Sequence, residues 1–598
     1  MKKTIFQFDL LRWSEPQLLL DGKMSAAEYF RCSVTTLSDL TRFEVTPLDN
    51  KNEFQDFCCC ICFEDVLCDA VSVQGDSMGS CRMLAGGTED QEFVSANLLV
   101  IKSGIRFYLL EFDGFPAGEV CWCGKFNGNI LTELRAELRE NIASRPLEKF
   151  ALELRSGENP QVLLENWAKR HYSANTERCF NTTVLEGAGW NSWDYFRWSV
   201  TAEDVLRNAE FIARDAVLSK YIKRIVIDDG WMNCYGEWEG NSRFANMRKL
   251  SSDLRKMGFT PGLWFAPALA EPQSMIAQQH WEYLARGESN WPCLSFECMS
   301  RRAFVLDPTQ KEVQRFWGDT FRRYKEMDFG YFKLDFLKHV FSARYFADRR
   351  ASANDIMNIM LQTIRNAVGS NCALMACNYL YAAGNKYVDM VRTASDIHAD
   401  FASIRHNSSA IAARGFMQDI IWRNDPDFAL ARGVDTSNDP NMDRLRPNQV
   451  FIQKKSSEYD DLLGKWCCAS SLRGEEAKIL LSLVIVSGGE VNFSDDLTKL
   501  NEYGLELVRK TAAAEKGFAA CAQDLYLHEY AEVYLQKICK NKQRKLWINW
   551  QDDVRSFVFD LPENAANIRD FWSGEVLNTL PDTLNIAPHS CRLIEYMI

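Results

Sequence analysis

The chain of 598 residues is long enough for about three or four domains at roughly 100–200 residues each. A hydrophobic share of 46% and a charged share of 25% describe a globular protein with a large core and exclude a disordered or fibrous one. A formal net charge of −12 without a basic stripe excludes a nucleic-acid phosphate partner, whereas 17 Trp leave indole rings for clefts that take the flat apolar faces of sugars.

The N-terminus begins Met1-Lys2-Lys3, but Gln7 and Asp9 interrupt the apolar stretch before a secretory core can form, so a mature, cytoplasmic N-terminus is expected. The longest membrane-like run, Ile479 to Val486, falls far short of the ~18–20 residues of a spanning helix, so no membrane partner is expected. Residues 1–145 hold short alternating or apolar runs, such as Leu98-Leu99-Val100-Ile101, parted by Gly, Asp and Asn, and read as a β-sandwich. Within them Cys58-Cys59-Cys60 and Cys62 sit in an apolar run where cysteine packs as a small hydrophobe and holds no metal. The twenty cysteines follow no pairing pattern and are expected as reduced thiols. Residues 146–178 place Leu147, Phe150, Leu154, Val162, Leu163, Leu164 and Trp167 at helical spacing, which predicts a helical connector.

From 179 to 510, strand candidates at 185–190, 224–228, 261–265, 331–335, 373–377, 389–392, 420–423 and 480–486 alternate with amphipathic helices such as 202–216, 309–326 and 353–368. Eight strands with intervening helices predict a (β/α)8 TIM barrel, whose chemistry sits at the C-terminal strand ends. Strands return over 511–598, at 531–535, 546–550, 555–559 and 592–596, as a C-terminal antiparallel β-domain. The expected fold is multidomain α/β, a central barrel flanked by an N-terminal β-sandwich and a C-terminal β-domain.

The expected strand ends carry many charges. In Tyr331-Phe332-Lys333-Leu334-Asp335-Phe336-Leu337, side chains alternate, so Lys333 and Asp335 share one face and the apolar neighbours the other. Acid-rich ends recur in Asp228-Asp229-Gly230-Trp231 and in Arg392-Thr393-Ala394-Ser395-Asp396. Gly189-Trp190-Asn191-Ser192-Trp193, Gly262-Leu263-Trp264, Cys377 and Trp422-Arg423-Asn424-Asp425-Pro426-Asp427 complete the set. A structural ion pair explains any one of these segments; together they gather paired carboxylates, fixed cations and indole walls. That inventory fits glycoside hydrolysis, in which one carboxylate attacks or activates water and another protonates the departing oxygen. The seven His are dispersed, and Gly187-Ala188-Gly189 lacks the rest of a dinucleotide fingerprint, so no metal and no cofactor is expected.

On these motifs, in this order, the chain from about Gly189 to Leu500 resembles the retaining α-galactosidases of glycoside hydrolase family 36, in the clan shared with family 27. The resemblance implies an exo-acting hydrolase of terminal α-galactosyl residues on oligosaccharides or glycoconjugates, with Asp335 as nucleophile and Asp396, four residues after Arg392, as acid/base. It implies Asp228 and Asp229 at the 4- and 6-hydroxyls, Lys333 and Arg392 at other ring hydroxyls, Trp190 and Trp264 shaping the sugar pocket, and Cys377 in its wall. Asp427 is taken as a further substrate-binding residue, although Asp425 and Asp427 around Pro426 serve equally to shape a loop. Lys333 is expected to lower the pKa of Asp335, and the Asp335 anion to raise that of Asp396. Ala394-Ser395, Phe428 and Asn378-Tyr379-Leu380-Tyr381 depart from the family pattern and bear on the 2-position and aglycone side. An α-N-acetylgalactosaminidase or a galactosyl-transferring transglycosylase therefore stays open, as does a homo-oligomer. A catalytically inactive sugar-binding protein is remoter, because both carboxylates are present, and a metal-dependent sugar isomerase lacks its ligands.

Overall fold

The computed structural model describes residues 184–298, 301–439, 470–578 and 581–598, and residues 5–172 except 9–10, 15–16, 21–22, 25–29, 49–52, 55–56, 76, 80, 86–90, 115–117, 140–144 and 147. Met1 to Lys3, Asp9, Leu147, residues 173–183 and the side chain of Cys62, on which the readings above drew, lie outside the described residues.

Two antiparallel sheets face each other in the first part of the chain. One includes Phe57–Leu67, Ile130–Arg139, Glu119–Asn127 and Gln91–Ala96; the other includes Ala70–Val73, Leu99–Ser103, Arg106–Gly114, Phe150–Gly157 and Leu40–Pro47. Alternation sets Leu99, Ile101, Tyr108 and Leu110 of one sheet against Cys59, Trp122, Leu134 and Ala136 of the other in a single core. Phe150–Gly157 corrects the expected helical connector: it is a strand paired between Arg106–Gly114 and Leu40–Pro47. Phe150 and Leu154 are four apart, which satisfies a period of two as well as a helical one, and Leu152 between them enters the same core. The helix begins only at Pro160 (Pro160–Tyr172), where the missing N–H costs nothing in a first turn.

Eight parallel strands then close a barrel: β1 Ala188–Asn191, β2 Ile222–Ile227, β3 Thr260–Phe265, β4 Tyr331–Leu334, β5 Ala373–Ala376, β6 Met390–Arg392, β7 in two pieces, Arg423–Asp425 and Phe428–Ala429, and β8 Asn492–Phe493. The first piece of β7 pairs with β6 and the second with β8, which pairs back to β1, so the ring closes across a kink at Pro426 and Asp427. Helices form where periodicity predicted them, at Ala202–Arg214, Lys311–Lys325 and Ala353–Val368; the first and last open on capping boxes from Thr201 with Asp204 and Ser352 with Asp355.

The last barrel strand is a correction. Residues 480–486 belong to the helix Gly474–Ser487, and β8 follows it. From Ile479 to Val486 no residue is more than 6% exposed, because the helix is covered on one side by Phe401–Arg414 and on another by the C-terminal strand Ser590–Met597. A helix buried all round needs no polar face, so its sequence reads as an unbroken apolar run, like a buried strand.

The C-terminal part holds a five-stranded antiparallel sheet including Val533–Cys539, Lys542–Asn549, Ser590–Met597 and Ala566–Asp570, beside the pair Arg555–Val558 and Thr583–Ile586. Barrel and flanking β-layers agree with the expected fold class. Among the described residues, no helix is long and apolar enough to cross a membrane.

Gly488 ends the buried helix at φ 67°, and a Cβ there would stand 2.6 Å from the Phe518 carbonyl carbon and 2.7 Å from the Ala519 nitrogen. Gly104 has a similar φ of 58° with nothing within 4 Å. Gly104→Ala should therefore cost about 1–2 kcal/mol of unfolding free energy, the left-handed penalty alone, and Gly488→Ala roughly 3 kcal/mol or more, since backbone must also move. Equal losses in urea denaturation would show that the helix end is not clamped.

Candidate active site

Alternation along the parallel strands sends one residue in two into the barrel. At the floor, Arg224 donates to the carbonyls of Val184, Glu186 and Gly187 and pairs with Glu490. Above it, Val226, Tyr331, Ala373, Met375 and Met390 form an apolar plug with Cys377. The charged strand ends stand on this plug.

Lys333 Nζ donates to Asp228 Oδ2 at 2.8 Å, and Asn191 Nδ2 donates to the same oxygen at 2.8 Å. Burial disfavours the Lys333 charge, but Asp228 more than offsets it and holds the ammonium pKa above its ordinary value. Asp335 is fixed through both oxygens: the Phe336 N–H donates to Oδ1 at 2.7 Å and the Trp264 indole N–H to Oδ2 at 3.1 Å. Phe336 takes a left-handed φ of 54° to present that N–H. Arg392 reaches three carboxylates, Asp396 at 2.9 Å, Asp427 at 2.5 Å and Asp425 at 3.4 Å. The kink in β7 makes this convergence possible, since Asp427, at φ 77°, also accepts the Ile397 N–H at 2.6 Å and so ties the loop that carries Asp396.

Asp335 and Asp396 differ in setting. Burial raises the pKa of Asp335 above the ordinary carboxylate value, against the pull of Lys333 and with a push from the Asp396 anion. Asp396 lies at the mouth with its side chain 54% exposed. Desolvation among its neighbours pushes its pKa up, but Arg392, Lys333, Arg197 and His398 together pull it below the ordinary value. These directions invert those expected from the sequence, because several cations act on Asp396, whereas at Asp335 burial outweighs Lys333 and the two N–H donors of Phe336 and Trp264.

The structure brings Asp228, Asp229, Trp264, Lys333, Asp335, Cys377, Arg392 and Asp427 to one barrel end. Trp190 is a correction: its indole lies in the helix-facing core, wholly buried, with its N–H donated to the Asp495 carbonyl at 2.9 Å. In β1 the inward positions belong to Gly189 and Asn191, so a one-residue difference in facing removes Trp190 from the pocket. Tyr379, Leu380 and Tyr381 are likewise buried, Tyr381 donating its hydroxyl to the Arg392 carbonyl at 2.7 Å.

Four further residues at this end were not singled out from the sequence. Asn191 holds Asp228, and Trp198 and Tyr235 each donate to Asp229 Oδ2 at 2.6 Å. Arg301 stands over the Tyr235 ring at 4.7 Å, with Nη2 4.0 Å from Asp229 Oδ1. Asn191 was visible within its motif; Trp198, Tyr235 and Arg301 come from excursions beyond the strands, where no period marks a facing. Among the described residues, buried Asp229 Oδ1 has no hydrogen-bond donor and Arg301 Nη1 no acceptor. Among the described residues, the one His/Cys/Asp/Glu group close enough to share an ion is Asp524, His528 and Glu532, next to the C-terminal sheet.

Residues 190–367 match the family model for Melibiase. Over 109 residues the chain is 28% identical to an A type blood α-D-galactosamine galactosaminidase of Flavonifractor plautii, a match spanning 17% of this chain and about a tenth of that relative's length, 10%. The α-galactosidase TtGalA from Thermus thermophilus, solved with p-nitrophenyl α-D-galactopyranoside, superposes with a TM-score of 0.60 at 16% identity, covering 86% of this chain and 95% of that one. The GH36 α-galactosidase AgaA from Geobacillus stearothermophilus superposes with a TM-score of 0.57 at 12% identity over 98% of this chain and 87% of that one. At these identities the superpositions establish the fold.

The Lys333–Asp228 contact sets a stability test. Lys333→Met leaves the Asp228 carboxylate buried without its cation and should cost about 3–5 kcal/mol in urea denaturation. Adding Asp228→Asn should recover most of that loss; strictly additive losses would show the two charges are uncoupled.

Proposed function

With residues 190–367 placing a Melibiase-family glycoside hydrolase domain in this chain, we propose that it is a retaining, exo-acting α-galactosidase in which Asp335 is the nucleophile and Asp396 the acid/base. The observation that carries this reading is the asymmetry of the two carboxylates. Asp335 is sunk in the pocket with an N–H on each oxygen, a fixed group suited to forming a bond at the anomeric carbon. Asp396 is at the mouth, 54% exposed and held by one guanidinium at 2.9 Å, where a leaving group departs and water enters.

In the first step Asp335 attacks the anomeric carbon, the bond to the aglycone oxygen breaks, and Asp396 gives that oxygen its proton, leaving a β-glycosyl ester. In the second step Asp396 takes a proton from water, which attacks the same carbon and releases Asp335 and a sugar of retained configuration. Asp228 and Asp229 hold the 4- and 6-hydroxyls, Lys333 and Arg392 other ring hydroxyls, Trp264 aims Asp335, Cys377 is a wall, and Asp427 aims Arg392. The apolar plug beneath supports exo action, since a chain end fits a pocket closed below and an internal unit does not. Oligosaccharides or glycoconjugates with α-galactosyl ends are the proposed substrates, in a cytoplasmic setting. The name of the Flavonifractor plautii relative favours an α-N-acetylgalactosaminidase as the second reading.

Two experiments test the assignment. Asp335→Gly should abolish turnover even of activated aryl α-galactosides, with azide giving the β-galactosyl azide. Asp396→Ala should lose about 10²–10⁴-fold on substrates with poor leaving groups yet accumulate the glycosyl ester from activated ones, azide then giving the α-galactosyl azide. Turnover by Asp396→Ala at the unaltered rate, with no azide effect, would remove Asp396 from the role.

The pH profile follows from the charge directions. In the free protein Asp396 is held below the ordinary carboxylate value, so the protonated acid is lost as pH rises through the acidic range. Asp335 must be ionised yet is held above the ordinary value, so the reactive form is a minority at every pH: the acidic limb of kcat/KM should fall below the ordinary carboxylate value, where Asp396 titrates, and the alkaline limb above it, where Asp335 does. An acidic limb of kcat/KM above the ordinary carboxylate value would contradict this.

A further inference from the structure

A loop of the N-terminal sandwich, between the strands Ala70–Val73 and Arg82–Ala85, crosses to the catalytic end of the barrel. Three contacts anchor it there. Ser77 Oγ accepts the Tyr379 N–H at 2.6 Å, the Met78 carbonyl accepts the Ser395 hydroxyl at 2.9 Å, and the Gly75 carbonyl accepts Arg414 Nη2 at 2.6 Å. Cys81 packs with Ala394, Ala410 and Ala413. Ser77 is buried and held at φ 49°, and Asn378, next to its partner Tyr379, at φ 44°. A non-glycine residue keeps that backbone only where its surroundings over-determine it. The loop thus wedges between the strand ends after β5 and β6, touching the residue before Asp396 and the second residue after Cys377. The Met78 side chain, half-buried, packs against the inward cluster to which Cys377 belongs.

We infer that Met78 is a specificity-determining residue, a wall of the sugar pocket that selects terminal α-galactosyl units without a bulky substituent at C2. The inference rests on the proposed function. A pyranose with its 4- and 6-hydroxyls toward Asp228 and Asp229 and its C1 between Asp335 and Asp396 turns its C2–C3 edge toward Cys377 and Arg392. Met78 packs from the sandwich side on the cluster that contains Cys377, and there it takes the space an acetamido group at C2 would enter. Its unbranched thioether fills that space as an apolar wall. The second reading above is thus disfavoured by a residue outside the barrel.

The test compares kcat/KM for aryl α-galactoside and aryl α-N-acetylgalactosaminide in the full chain and in Met78→Ala, Met78→Val and Met83→Ala. Met83 is a buried methionine on the adjoining strand and serves as the control for lost sandwich stability. In the unaltered chain the galactoside should be preferred. Met78→Ala should move the ratio toward the N-acetylgalactosaminide by about 10-fold or more, the scale for opening an apolar wall; Met78→Val should move it the same way by less, and Met83→Ala not at all. The milder variant keeps the test decisive where Met78→Ala fails to fold. Turnover with an unmoved ratio in the Met78 variants, or an equal movement in Met83→Ala, overturns the wall alone. No turnover of either substrate by the unaltered chain overturns the wall and the proposed function together.

Discussion

The site depends on burying charge without leaving it alone. Lys333, Asp228, Arg392, Asp425 and Asp427 crowd the end of one barrel beside Asp335, and water that would solvate each of the five has been replaced by another member of the set. Each ion taken out of water costs several kcal/mol unless geometry returns it. The return comes from strand alternation: Lys333 lies on β4 two residues before Asp335, which places both on one face, while Asp228 directly follows β2, across β3. The pairing is therefore between strands, and it holds only when the barrel is closed.

Closure itself is bought by a defect. A continuous β7 would carry Asp425 inward and aim the next residues by strict alternation; the break at Pro426 instead lets Asp427 take a left-handed backbone and meet Arg392 and the Ile397 N–H. Proline has no N–H to give a ladder, so the break falls where a ladder bond would be lost anyway. One interruption thus joins β6 to β8 and ties the loop bearing Asp396.

The flanking layers hold the ends in register. The helix Gly474–Ser487 is covered by the C-terminal sheet, and the sandwich reaches across to Tyr379, Ser395 and Arg414. Rigidity of the strand ends therefore rests on packing from both sides of the chain. It also explains why Asp396 can be exposed and still be placed: its neighbours, Ser395 through Met78 and Ile397 through Asp427, are pinned while its own carboxylate faces the mouth.

Much of this was legible in the residues. The run from Tyr331 to Leu337 declares its two faces because period-two alternation is a local property, and the amphipathic helices 202–216, 309–326 and 353–368 declare theirs by a local period of 3.6. The motifs gathering Asp228, Lys333, Asp335, Arg392 and Asp396 were visible for the same reason: each lies within a few residues on one strand end. Tertiary structure alone decided the rest. Residues 480–486 became a helix because neighbours cover it all round, and 150–157 became a strand because two strands stood ready to pair with it. Trp190 turned outward because register in β1 is set by pairing with β2 and β8, and Trp198, Tyr235, Arg301 and Met78 arrive from segments whose facing no local period encodes. Spacing along the chain determines which side chains share a face; which face meets the pocket, and what crosses from elsewhere to join it, is settled only when distant segments bury one another.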